Sequence, residues 1–338
     1  MHNYESSRRA FFRAALAGVS AAALSDQVVA QTAGASATGL PTRVLGRTGA
    51  RVSILGLGGA HIRTIKEDAE CIRAMHLAID EGVSFFDNAW DYRDGACEEI
   101  MGKALAAEGY RKKVFLMTKD CGRDYKMSMQ CLEDSLRRLQ TDHLDLWQFH
   151  EINYDNDADW IFERGAIKAA MEARKAGKVR FIGFTGHKDP RLHLDMLGRA
   201  FEWDTCMMPV NVADFHYRSF QKGVVPVCAK RKIGVIGFKG LGGGGAGLIG
   251  KEGLTVDECL RYAMSMPVAV QVVGMTSLEQ VKQNVEIARN FKPMPNDEKT
   301  KLLARIKEIA GDGRYEAFKS QIRFEGRVHR EQHGFPLQ

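Results

Sequence analysis

The 338-residue chain has no CxxC pair and an odd number of cysteines, seven in all (Cys71, Cys97, Cys121, Cys131, Cys206, Cys228 and Cys259). That pattern argues against a zinc site, an iron–sulfur cluster or a disulfide framework, so no metal is expected and the thiols read as buried and inert. Long apolar runs are missing too. The stretch Ala14 to Leu24 falls well short of the ~20 residues of a spanning helix, and no stable membrane insertion of the processed chain is expected. The net charge is only +6, with arginines scattered rather than interleaved with aromatics on one stripe, which sets nucleic acid aside as a partner. A balance of 45% hydrophobic and 27% charged residues leaves neither disorder nor a fibrous repeat to explain.

Two further absences bear on architecture and chemistry. Leu55-Gly-Leu-Gly-Gly59 has no third glycine at Ile62 or nearby, which counts against the fingerprint of an open doubly wound sheet. A glycosidase needs two opposed carboxylates; the fourth strand pattern offers Glu151, but the seventh ends in Phe238-Lys239.

What is present begins with Ser7-Arg8-Arg9-Ala10-Phe11-Phe12-Arg13, the short apolar run, and Val28-Val29-Ala30, small residues suited to signal peptidase. Residues 1–30 therefore read as a twin-arginine export signal, implying the export machinery as a partner and a periplasmic location. Residues 31–42 are a small-residue linker, and 43–338 form the folded unit with a C-terminal tail. Arg43 to Leu55 reads as a hairpin around Arg47-Thr48-Gly49. Eight strand patterns follow, at Ile54–Leu57, Val83–Phe86, Val114–Thr118, Leu144–Phe149, Val179–Phe184, Cys206–Val210, Gly234–Phe238 and Val268–Val273. Helical periodicity covers Glu67–Glu81, Cys97–Ala107, Lys126–Leu139, Arg164–Ala176, Pro190–Ala200, Arg218–Lys232, Thr255–Met266 and Leu278–Asn290. Strict alternation predicts an α/β fold, a closed (β/α)8 barrel, with a last helix at Asp297–Ala310 and a tail outside or across it.

Three strand patterns end in chemically loaded groups. Asp87 follows Ser84-Phe-Phe, with Tyr92 five residues on; Lys119 closes Lys113-Val-Phe-Leu-Met-Thr-Lys; His150 closes Leu144-Asp-Leu-Trp-Gln-Phe-His. On neighbouring strands of a parallel barrel all four converge on one mouth, an acid with its tuning groups.

In these four residues the chain resembles the aldo-keto reductases, from about Arg43 to Asn290. The resemblance implies a barrel plugged by the hairpin and extended by C-terminal helices. It implies an NADPH- or NADH-dependent oxidoreductase that reduces an aldehyde, ketone or sugar carbonyl, with Tyr92 as general acid. Lys119 is then expected to lower the Tyr92 pKa, Asp87 to hold Lys119 charged, and His150 to orient the substrate oxygen. By the same resemblance Thr185 and Asn211 contact the nicotinamide and Phe238 stacks on it. Lys239, Gly240, Leu241 and Gly242 form the pyrophosphate loop, and Met275, Thr276, Gln280, Gln283 and Asn284 hold the adenosine end. Gly274 and Gln280 stand where members preferring NADPH often carry lysine and arginine. The alternative is a cofactor-sensing binding protein of the same fold with little turnover. Trp90, Tyr125, Tyr154 and Trp160 are placed at the rim, as pocket walls or as loop packing, and Arg323, Arg327, His329 and Arg330 as a solvated basic tail.

Overall fold

Eight short strands pair in parallel and close on themselves. In chain order they are β3 Leu55–Gly58, β4 Phe85–Asp87, β5 Phe115–Asp120, β6 Leu144–Phe149, β7 Val179–Thr185, β8 Thr205–Pro209, β9 Gly234–Phe238 and β10 Val270–Gly274. Their order around the barrel is β10-β3-β4-β5-β6-β7-β8-β9, so every strand lies beside its chain neighbours, as short connections favour. These observations come from a computed structural model that describes residue 34, residues 37–243 and residues 247–337. The expected export segment 1–30, part of the linker 31–42 and residues 244–246 of the glycine run lie outside the described residues.

Before the barrel, β1 Thr42–Val44 and β2 Arg51–Ser53 form the antiparallel hairpin. Leu45 and Val52 are fully buried and join Phe85, Phe115, Met117, Leu146, Met207, Ile236, Val270 and Val272 in one apolar cluster. The hairpin thus plugs one end of the barrel. Arg43 anchors it by donating to the carbonyls of Val268 and Met264 at 2.7 and 2.8 Å.

Side chains alternate sides along a strand, and this cluster fixes the inner parity. Phe85 is inside, so Asp87 is; Phe115 and Met117 are inside, so Lys119 is; Leu146 is inside, so His150 is. The outward residues Phe86, Leu116, Trp147 and Phe149 pack with the surrounding helices in a second, larger core. Polar groups at inward positions are tolerable at the strand ends because beyond them the barrel opens.

Helices follow the expected ranges to within about two residues, with local signals at their starts. Asp124 accepts from the Met127 amide, and Thr255 with Glu258 closes a reciprocal capping box ahead of Val256–Met264. Two differences have physical causes. The helix expected over Arg218–Lys232 is split into Phe220–Gly223 and Val225–Lys230, because Pro226 lacks the amide a continuous helix needs. The loop after β6 holds an extra helix, Asp157–Glu163, whose N-terminal Asp157 accepts from the amides of Asn153 and Tyr154, both at 2.8 Å.

After the helix Asn296–Ala310, the tail returns over the open end through short turns at Arg314–Lys319 and Ile322–Phe324 and a last helix, Arg327–Gln332. A buried charge cluster fixes it. Lys319 has no exposed surface and donates to Asp214, Glu316 and the Tyr217 carbonyl, each at 2.7 Å. No helix among the described residues is long and apolar enough to cross a membrane.

Candidate active site

The four expected residues meet at the open mouth. The Lys119 ammonium donates to the Asp87 carboxylate, to the Asn88 carbonyl at 2.7 Å and to the Tyr92 hydroxyl at 3.1 Å. Lys119 is 1% exposed and Asp87 3%, and their pairing is what allows a charge to stay at such depth. Tyr92 is carried by a sharp turn, with Arg93 and Asp94 both at positive φ, a conformation strained for residues other than glycine. The turn swings the phenol back over Lys119, 4.6 Å from the ammonium to the ring centre. His150 stands edge-on to the same ring with centroids 5.6 Å apart.

One electrostatic expectation is reversed. Burial, reinforced by the negative charges of Asp87 and Asp91, pushes the Tyr92 phenol well above its ordinary pKa, where a lowering by Lys119 was expected. The phenol is therefore held neutral, as a proton donor must be. The neighbouring cation acts on the phenolate once charge develops there.

Residues that sequence reasoning passed over complete this wall. Asp91, next to Tyr92 in the same turn, places Oδ1 3.1 Å from His150 Nδ1. Cys121, two residues after Lys119, has its sulfur 3.6 Å from the same nitrogen. Burial opposes ionisation of Asp91, yet His150, His329 and Lys119 hold its carboxyl below the usual range. Burial lowers the His150 pKa against the pull of Asp91. Glu151, at positive φ, is pushed up by burial and by Asp91, to about 8, and accepts from the Gly326 amide in the tail at 3.0 Å.

The tail enters the site, which corrects the solvated-tail expectation in part. Arg323 and Arg327 are exposed, but His329 is 1% exposed and stacks edge-on to His150 with centroids 5.2 Å apart. Tyr154 and Trp160 pack against His333, at 4.5 and 4.8 Å, so they fasten the tail to the rim. Trp90 bonds Asp134 at 3.2 Å and Tyr125 bonds Glu172 at 2.7 Å, both on the helical flank.

Most of the residues expected to hold a nicotinamide cofactor have positions compatible with one. Thr185 and Phe238 sit at inward strand ends. Lys239 and Gly242 take positive φ, turning the loop sharply after β9, and at Gly243 a Cβ would run into Lys239 and Phe318 at 3.0 Å. Burial lowers the Lys239 pKa to about 8, and its ammonium lies 4.8 Å from the Phe238 ring and 4.9 Å from Phe318. The helix Leu278–Arg289 opens after Ser277, which accepts from the Gln280 amide, giving a helix N-terminus of the kind that receives phosphate. Met275 is buried and Gln283 exposed, and Asn284 is a buried residue of the helix.

Asn211 is already engaged by the protein. Its carbonyl oxygen accepts from the amides of Ala213 and Asp214 in its own loop at 2.8 and 2.9 Å, and its amide donates to Glu316 in the tail at 3.1 Å. Thr276 is also engaged, its amide and hydroxyl both donating to Gln280 at 2.9 and 3.1 Å. Gly274 has a local cause: a Cβ there would collide with the His61 ring. All seven cysteines are buried and free of disulfides.

Comparison with known proteins agrees with this architecture. Residues 54–248, more than half of the chain, match the Aldo/keto reductase family. The uncharacterised oxidoreductase YrpG of Bacillus subtilis is 33% identical over 247 residues, 65% of this chain and 71% of that protein. The L-galactose dehydrogenase of Arabidopsis thaliana is 26% identical over 78% of this chain and 92% of its own length. Among solved structures, the holo form of an aldo-keto reductase from Bacillus halodurans superposes with a TM-score of 0.67 at 24% identity, covering 79% of this chain and 96% of the other. A Klebsiella pneumoniae aldo/keto reductase in complex with NADP and acetate gives a TM-score of 0.63 at 24% identity, covering 78% and 95%.

Proposed function

Since the chain belongs to the aldo/keto reductase family and is an oxidoreductase by that membership, we propose that it reduces an aldehyde, ketone or sugar carbonyl using NADPH or NADH, with Tyr92 as general acid. The observation that carries the reading is the single ammonium of Lys119 bonded to both Asp87 and the Tyr92 hydroxyl at the barrel mouth. A bound reduced nicotinamide would supply the hydride. Tyr92 donates its proton to the carbonyl oxygen as that oxygen gains charge, and Lys119 stabilises the phenolate left behind. Asp87 keeps the lysine charged and aimed. His150 orients the substrate oxygen through Nε2, its Nδ1 being turned to Asp91 and Cys121. Phe238 offers a ring face, Lys239 to Gly242 the phosphate loop, and Ser277 with Thr276 the adenosine end. Oxidation of reduced nicotinamide in the presence of a panel of aldehydes and sugars tests this directly. Saturable cofactor binding with no substrate-dependent oxidation would favour a cofactor-sensing protein.

Cofactor preference follows from what the adenosine end lacks. NADPH carries an additional 2′-phosphate, and charge-assisted hydrogen bonds to it run at about 1.5 to 3 kcal/mol each. His61 fills the space where a side chain at Gly274 would lie, and Gln280 is neutral and bonded to Thr276. NADH and NADPH are expected to bind with comparable affinity, and Gln280→Arg to shift preference toward NADPH. Titration of both by tryptophan fluorescence quenching checks this; a hundredfold preference for NADPH in the unmodified protein would contradict it.

The export reading also stands as a proposal, supported by Arg8-Arg9 ahead of the apolar run. The twin-arginine route carries folded proteins, and a reductase taking up its cofactor before crossing would require it. Lysine at both positions is expected to retain the protein in the cytoplasm on cell fractionation. Full-yield arrival in the periplasm would refute it.

A further inference from the structure

We infer that Asp91, Cys121, His150 and His329 form a binding site for one divalent transition-metal ion of the zinc type, set in the wall of the barrel mouth. One ligand atom from each of the four residues lies within 4.8 Å of the others. Tetrahedral zinc with bonds of about 2.0–2.3 Å holds its ligand atoms about 3.3–3.8 Å apart. The pairs at His150 Nδ1 already lie at 3.1 Å to Asp91 and 3.6 Å to Cys121, and a pair at the 4.8 Å limit of the set has to close by about 1 Å.

Three observations favour a ligand over ordinary packing. His329 Nε2 is a buried atom with no hydrogen-bond partner, and such a group costs about 1–3 kcal/mol when left unmet. The other ring nitrogen of His329 lies 3.4 Å from Arg123, beyond the ordinary range of an N–H bond. Charge also closes: a dication with the Asp91 carboxylate, the Cys121 thiolate and two neutral imidazoles sums to zero, the condition for burying an ion cheaply. The neighbouring cations are already spoken for, Lys119 by Asp87 and Arg123 by Asp157. A thiolate with imidazoles and one carboxylate is the donor set of zinc rather than of calcium or magnesium.

Two consequences follow. The site exists only when the tail is docked, since His329 comes from the last helix, so the metal staples tail to barrel. Metal on Nδ1 of His150 also takes that lone pair and leaves the imidazole proton on Nε2, making it a donor toward the mouth; this second consequence rests on the proposed reaction, whereas the binding claim does not.

The test uses the full chain, stripped with a chelator and then titrated with zinc chloride by calorimetry, with metal content measured by mass spectrometry. About one zinc per chain is expected, with release of about one proton from the Cys121 thiol. Cys121→Ser and His329→Gln, each checked for folding by circular dichroism, should weaken binding at least about tenfold. Absence of stoichiometric uptake, or uptake unchanged in His329→Gln, which leaves the barrel core intact, would overturn the site. Aldehyde reduction without zinc uptake would refute the site and leave the reaction standing; zinc uptake without reduction would do the reverse.

Discussion

Tyr92→Phe is expected to lower kcat by about 10²-fold or more, the scale of a lost general acid, while leaving cofactor affinity unchanged. The substitution removes one oxygen and keeps the ring that packs against Lys119 and His150. Lys119 retains Asp87 and the Asn88 carbonyl as partners, so the ion pair survives. The groups proposed to bind the cofactor, Phe238, Lys239 and the helix start at Ser277, belong to other elements than the turn that carries Tyr92. Turnover near that of the unmodified protein would remove Tyr92 from the mechanism, and a parallel loss of cofactor affinity would mean the variant had disturbed more than the acid.

Lys319→Met is expected to destabilise the protein by about 3–5 kcal/mol, the range for breaking a buried ion pair by removing one partner. Asp214 and Glu316, both fully buried, would be left facing each other without a cation. Burial and the charge of Asp214 already push the Glu316 pKa up, to about 7, against the counter-pull of Lys319. Without the lysine one carboxyl must take a proton or the tail must lift. Denaturant unfolding measures the loss, and increased protease cleavage within residues 314–337 would report the detached tail. A variant as stable as the parent, with a protected tail, would show that the cluster does not hold the tail in place.

Much of this structure was legible in the sequence because its signals are local. The inward placement of Lys119 and His150 follows from counting in twos from Met117 and Leu146, and Asp87 from Phe85. The hairpin plug was marked by its turn, Arg47-Thr48-Gly49, and the helices by their apolar periodicity. What sequence reasoning missed depends on distance along the chain. Lys319 and Asp214 are 105 residues apart, and Arg123 and His329 are 206 apart, so no periodicity or spacing could pair them. The bond from the Asn211 amide to Glu316, 105 residues away in the tail, was hidden for the same reason. The cysteine spacing that argued against a metal site reads ligands on one segment, whereas the residues of the proposed site, Asp91, Cys121, His150 and His329, come from four. The sign of the Tyr92 shift turned on burial and on Asp91, neither of which a list of nearby charges in the motif weighs correctly.

The most direct measurement is the fate of the hydride. Reduced cofactor deuterated at the transferable position, incubated with the purified protein and an aldehyde it turns over, is analysed by mass spectrometry of the alcohol formed. One deuterium is expected on the carbinol carbon, transferred without exchange with solvent, with the same label but about 10²-fold slower formation in Tyr92→Phe. Alcohol carrying solvent hydrogen at that carbon, or no alcohol from any carbonyl offered while the cofactor binds, would contradict it.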